Sequence, residues 1–216
     1  MTARPVDTNR GEGRPARGRP ALTSAQIAEM RAHIARRALE LFREKGFGGI
    51  SMRQLAHDSG CTPMTLYKYF ENKFDILRML WADVLCELFD ELDRVARDHA
   101  DPAARLEALA EGYVEFWLTH RDHYFLVFMS SGISQADVSS FMGDEAITAR
   151  FDIFRTCIAA ALGERTEAQD IRVRAEVLVL GLNGITQGLI TISGYPWATP
   201  KVLVNELTTA VLRATE

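Results

Sequence analysis

The sequence predicts an all-α protein: an N-terminal three-helix unit containing a helix-turn-helix, followed by a larger all-helical body. Three observations carry that expectation. From Ser24 onward, apolar residues recur at spacings of three and four, the period of helices buried along one face. The stretch from Ser51 to Lys73 contains two capped helix starts separated by a glycine. Charge is unevenly divided: residues 1–73 hold 13 Lys/Arg against 7 Asp/Glu, and residues 74–216 hold 12 against 22. A basic end on an acidic body is the distribution expected where one end meets a polyanion and the other does not.

A chain of 216 residues suits a small unit fused to a larger one. The expected division is a disordered basic arm over residues 1–23, the helix-turn-helix unit over 24–73 and the larger helical domain over 74–216. Cys61, Cys86 and Cys157 lie far apart and form no metal-ligating spacing, so no metal and no cofactor is expected, and a reducing cytosol suits them. The N-terminus has arginines but no apolar signal core. The longest apolar run, Ala175 to Ser193, is interrupted by Asn183, Thr186 and Gln187. The expectation is a soluble, cytoplasmic protein with no membrane partner.

Residues 1–23 are rich in Arg, Gly and Pro and too poor in apolar side chains to form a core. Arg17-Gly18-Arg19-Pro20 is similar to the Arg-Gly-Arg-Pro core of AT-hook peptides, which enter A·T-rich minor grooves. General attraction to phosphate is the alternative. From Ser24 to Lys45, Ile27, Met30, Ile34, Ala38, Leu41 and Phe42 line one face of a helix that Gly46 stops, with Phe47 folding back on its last turn. Ser51 and Gln54 form a capping box, with Ile50 stapling against Leu55. Gly60 ends this short helix, and Ala56 with Gly60 leaves room for the next one to cross closely. Thr62 caps that second helix and Pro63 fills its first turn. Leu66 and Phe70 point to one side, while Pro63, Met64, Tyr67 and Lys68 point to the other.

Asn72 and Asp75 cap a connector helix expected over Lys73–His99, with acids on its solvent face. Asp101-Pro102 opens a helix to Thr119, and a shorter one follows from Asp122 to Ser130. Between Tyr113 and Met129 lies the heaviest aromatic load in the chain, either plain core or the wall of a ligand pocket. Glu111 and Glu115 beside it suit a cationic ligand or simply face solvent. A polar loop over 131–143 precedes helices at 144–162, 167–193 and 200–213. Gly181, Gly184 and Gly188 in the second of these suggest close approach of another helix, and hence a dimer seam.

The run from Gly60 to Lys73, with Thr65-Leu66-Tyr67, Tyr69-Phe70 and Asn72-Lys73, resembles the signature of the TetR family of bacterial transcriptional regulators. The resemblance is strong over about residues 24–75, and beyond them covers architecture and the Tyr113–Phe128 stretch. It implies a homodimer on double-stranded DNA with a palindromic operator, acting as a repressor released by a small-molecule effector. By position, Arg53 contacts a base or a phosphate, and Thr62, Pro63, Met64, Thr65 and Lys68 face the major groove. Tyr67, Tyr69, Lys73 and the hydroxyls of Ser51 and Thr65 meet phosphates, with core packing the alternative for both tyrosines. Arg17 and Arg19 add the arm. The larger domain is then the ligand-binding and dimerisation domain. Its candidate ligand residues are Tyr113, Phe116, Trp117, Tyr124 and Phe128, joined by Phe151, Asn183 and Gln187.

No nucleophile elbow, phosphate loop, His-Glu-x-x-His run or paired-carboxylate spacing is present in the sequence. An enzyme is not expected. A binding module that has lost DNA is the nearer rival, and the intact basic helix-turn-helix argues against it.

Overall fold

In the computed structural model, residues 23–130, 132–143, 145–163 and 166–213 are described, and among them eleven α-helices form with no strand. α1 (Ser24–Lys45) begins at Thr23, whose hydroxyl accepts from the Gln26 amide while the Gln26 side chain accepts in return. It ends where Gly46 adopts φ +71°, and Phe47 folds back so that its ring meets Phe42 edge-on at 5.3 Å. α2 (Met52–Asp58) is capped by Ser51, which accepts from the Gln54 amide at 3.2 Å. The reciprocal half of the expected capping box is absent.

The tight turn after α2 depends on Gly60, at φ +67°. A Cβ there would meet nothing within 4 Å. The glycine therefore serves the backbone conformation and not the close helix crossing expected of it. α3 (Pro63–Leu66) is capped by Thr62 but is only one turn long, where the sequence suggested a helix reaching Phe70. Tyr67–Tyr69 instead form tight turns, with Lys68 N donating to Thr65 O and Tyr69 N to Leu66 O. Arg31 on α1 explains this. Its guanidinium donates to the Tyr69 carbonyl and lies 4.3 Å from the Phe70 ring centre, turning Phe70 into the core.

α4 (Lys73–Arg97) starts at the reciprocal Asn72–Asp75 box and ends two residues short of expectation. It buries a continuous face from Ile76 to Leu92 and joins the head to the body. α5 (Pro102–Thr119), opened by Asp101 accepting from Ala104 N at 2.8 Å, touches α4, α6, α9, α10 and α11 and is the centre of the body. α6 (Arg121–Phe128) and α7 (Gln135–Met142) follow. The single helix expected over 144–162 is broken into α8 (Glu145–Thr148), a 3-10 turn (Ala149–Phe151) and α9 (Asp152–Leu162). The break follows α4: Phe151 meets Phe89 edge-on at 4.7 Å, and Arg150 bridges Asp90 and Asp93 at 2.9 Å each.

α10 (Ala168–Thr191) and α11 (Pro200–Leu212) complete the body. α10 is long and apolar enough by composition to cross a membrane; here it packs on α5, α9 and α11. Its glycines divide between two roles. A Cβ at Gly181 would lie 2.6 Å from Leu207 of α11, and one at Gly188 would lie 3.6 Å from the Trp197 ring. Both approaches lie within the chain: Gly181 meets another helix, as expected, and Gly188 meets the segment that follows α10. Gly184 alone of the three faces open space. Buried apolar residues run without interruption from Ile34 in α1 to Val211 in α11, so head and body share one core.

Candidate nucleic-acid interface and apolar cavity

Around α3 the side chains divide as the helical period requires. Leu66 and Phe70 are buried, while Thr62, Pro63, Met64, Tyr67 and Lys68 face solvent. Met64 is 76% exposed and Tyr67 54% exposed, so Tyr67 is not a core residue. Arg53 on α2 and Ser51 at its cap are also exposed, whereas Thr65 and Tyr69 are half-buried. Thr62 Oγ1 accepts from the Thr65 amide at 3.1 Å and lies 2.9 Å from Thr65 Oγ1. One hydroxyl proton is spent between the two threonines, leaving the other free to donate. Ser51 uses only its acceptor capacity on Gln54 N, so its proton is also available.

Lys73 requires a correction. It was assigned to phosphate by resemblance, but its ammonium donates to the Phe47 carbonyl and, at 2.8 Å, to that of Ile50. It also sits 4.2 Å from the Phe47 ring centre, and burial lowers its pKa. Lys73 ties the loop after α1 to the start of α4. Three further braces had no sequence signal: Arg31 at Tyr69 O, His33 Nε2 3.3 Å from Ser59 O, and Arg37 Nε donating to Asp58 O at 3.3 Å. Polar residues at 31, 33 and 37 of α1 read as a solvated surface unless the partner carbonyls are known. Arg17 and Arg19 lie outside the described residues.

The body holds a cavity of about 730 Å³, within the range of small-molecule sites. Trp81 and Leu85 of α4, Val127 and Phe128 of α6, Phe141 of α7, Phe151, and Val179 of α10 give it an apolar lining. Its inner polar feature is a hydrogen bond from Tyr113 Oη to Asn183 Oδ1 at 2.8 Å. Burial raises the Tyr113 pKa, keeping the phenol neutral. At the rim stand two ion pairs, Asp152–Arg155 at 2.9 Å and Arg172–Glu176 at 3.0 Å.

Of the eight residues expected to bind ligand, Tyr113, Phe128, Phe151 and Asn183 line this cavity. The other four do not. Trp117 and Tyr124 are buried behind it, their rings packing on Phe128 at 5.2 and 5.0 Å. Phe116 turns towards His120 and His123, whose rings stack at 5.4 Å. Gln187 is exposed. Glu111 lies in a different cleft beside Lys201, 3.3 Å away, and Glu115 is exposed; neither acid supports a cationic ligand in the cavity. Missed from sequence were Trp81, Leu85 and Phe141. Trp81 is fixed by donating Nε1–H to Leu126 O at 2.9 Å and by edge contacts to Phe74 and Phe141.

A capped, surface-exposed helix-turn-helix on a helical body with an apolar cavity defines the class: a helix-turn-helix protein with an all-helical, cavity-bearing domain. Residues 34–80 match the family model described as "Bacterial regulatory proteins, tetR family". The chain is 24% identical over 131 residues to the transcriptional activator FasR of Mycolicibacterium smegmatis, covering 61% of this chain and 60% of that protein. It is 32% identical over 123 residues to the transcriptional repressor DrrR1 of Streptomyces coeruleorubidus, covering 53% and 38%. The match therefore spans less than two thirds of either relative. Among solved structures, the TetR family regulator PfmR of Thermus thermophilus superposes with a TM-score of 0.57 at 19% identity, covering 86% of this chain and 97% of that one. FadR of Bacillus subtilis, solved with stearoyl-CoA, gives 0.66 at 14% identity, covering 86% and 99%. Residues 34–80 therefore carry the regulatory motif of that family model, and the chain as a whole shares the fold of these structures.

Proposed function

We propose that the protein is a cytoplasmic, dimeric DNA-binding transcriptional repressor that leaves a palindromic operator when a small lipophilic effector enters the cavity. Residues 24–73 are the reading head, and residues 74–216 bind effector and partner. The observation that carries this reading is α4. Its first turn is tied to the head through Lys73, and its middle, at Trp81 and Leu85, is a wall of the cavity. A molecule that displaces those side chains displaces the head. Arg53, Lys68 and the exposed face of α3 approach the major groove. Ser51, Thr65, Tyr67 and Tyr69 meet phosphates, and Arg17 and Arg19 supply the arm. Two heads on successive major grooves stand about 34 Å apart. The relatives are named both as activators and as repressors; repression is our choice because effector entry at α4 disturbs the head.

Effector chemistry follows from the lining. An apolar body fills the cavity, and one hydrogen-bonding group meets the Tyr113–Asn183 pair. The FadR complex with stearoyl-CoA is an instance of this architecture holding a long apolar chain. A gel shift with DNA from upstream of the gene, at two salt concentrations, tests the reading. A regulator loses affinity steeply with salt yet keeps its preference over random DNA. Equal binding to every duplex overturns sequence-specific regulation.

A further inference from the structure

A second opening, of about 700 Å³, lies between the head and the body. Arg31 of α1 and the turn from Tyr67 to Glu71 line it from the head, α4 lines it between Asp75 and Ala82, and Phe141 of α7 with Ile147 of α8 lines it from the body. Phe141 also borders the body cavity, and its ring, edge-on to Trp81 at 5.1 Å, stands between the two spaces. The cleft is therefore a separate site.

Its cations outnumber the acids that could use them. Asp75 accepts from the amides of Glu71 and Asn72 at 3.0 and 3.3 Å, so its carboxylate is spent on the cap of α4. Arg31 gives one N–H to the Tyr69 carbonyl and rests on the Phe70 ring, which leaves its other donors. Arg78 is half-buried, and among the described residues no acceptor meets its guanidinium. The same holds for the Lys68 ammonium and for the hydroxyls of Tyr67 and Tyr69. A guanidinium drawn out of water is ordinarily paired. Arginine, lysine and tyrosine donors without acceptors match the oxygens of an anion, and the apolar surface of Met79, Phe141 and Ile147 beside them suits an organic body.

We infer that this cleft binds a small organic oxyanion, a phosphate or a carboxylate, with its acid group on Arg78 and Lys68 and its apolar part against Met79, Phe141 and Ile147. Duplex is too wide to enter between the head and the body, so the occupant is a small molecule. Tyr67 and Lys68 belong to the reading face as well as to the cleft, and the bound anion takes donors that a duplex would use. Anion and DNA therefore oppose each other, each weakening the other by the same factor. This coupling rests on the proposed DNA reading, whereas the anion site itself does not. Unlike the effector action proposed for the body cavity, it requires no displacement of α4.

The probe is anilinonaphthalene sulfonate, an aromatic anion whose fluorescence rises in apolar surroundings. Val179→Trp fills the body cavity, so this variant serves as the background in which the cleft is read. There, Arg78→Gln is expected to keep the helical circular dichroism and to bind the probe at least about tenfold more weakly. Ala82→Phe, which narrows the cleft without changing its charge, should do the same. Phenyl phosphate or benzoate should displace the probe, and benzyl alcohol should not. Saturating probe should weaken binding to duplex from upstream of the gene about fivefold or more, while Arg78→Gln should bind that duplex normally and lose the response. Probe binding indifferent to both substitutions, or displaced equally by benzyl alcohol, overturns the cleft as an anion site. Cleft binding that leaves duplex affinity unchanged overturns the competition alone. A chain with no preference for the upstream duplex overturns the DNA reading and the competition with it, and the probe titration still decides the site.

Discussion

Two lysines five residues apart, Lys68 and Lys73, both lie in the run from Gly60 to Lys73, yet their surroundings separate them. Lys68 is exposed at the end of the reading surface, and Lys73 is half-buried with two backbone carbonyls as partners. Removing a charged donor leaves those carbonyls unsatisfied, at about 1–3 kcal/mol. Lys73→Met is therefore expected to lower the midpoint of urea unfolding by a free energy of that size. Lys68→Ala should leave the midpoint nearly unchanged, weaken operator binding by about 1–3 kcal/mol and narrow its preference over random duplex. Equal unfolding midpoints for the two variants would place Lys73 on the DNA after all.

At the level of elements, legibility followed the range of the interactions that set each boundary. α1 and α5 begin and end where expected because Gly46 and Asp101-Pro102 are local signals. Gly60 is equally local, and its positive φ gives a prediction. Gly60→Ala should cost about 1–2 kcal/mol, the penalty of a left-handed residue with a Cβ, and Gly60→Asn should recover part of it. Chemical denaturation of the three chains checks the order, and an alanine variant as stable as the parent would deny the turn its role. Boundaries set by distant partners were not readable. α3 stops early because Arg31, 38 residues away, holds the Tyr69 carbonyl. The 144–162 segment breaks because Arg150 and Phe151 must reach α4. The cavity shows the same limit. Period alone placed Tyr113, Phe116, Trp117 and Tyr124 together as candidates, but only packing decides that Tyr113 faces the void while Trp117 and Tyr124 stand behind Phe128.

For the whole molecule, the junction of head and body lies where α1, α4 and α6 meet, and His123 sits there half-buried. Burial is the main reason its pKa falls below the ordinary value of 6.5; Glu87 opposes the shift, His120 and Arg43 add to it, and Asp122 opposes it again. Arg43 and Asp122 also join α1 to α6 across 3.5 Å. A histidine depressed in the folded state stays neutral there while the unfolded chain takes up a proton, so the unfolded state binds more protons between the lowered value and 6.5. Stability contributed by His123 is thus complete above pH about 6.5 and is lost as pH falls through the lowered folded value. Thermal melts from pH 7.5 down to 5 should show the midpoint falling on acidification, and His123→Gln should flatten that fall. Because the group lies between head and body, acid should loosen their connection before the body itself unfolds. Hydrogen exchange at mildly acidic pH should therefore rise first in α1 and α6, while α5 and α10 remain protected. Simultaneous exchange in all four helices would mean that the shared core unfolds as one unit and that His123 is not a local joint.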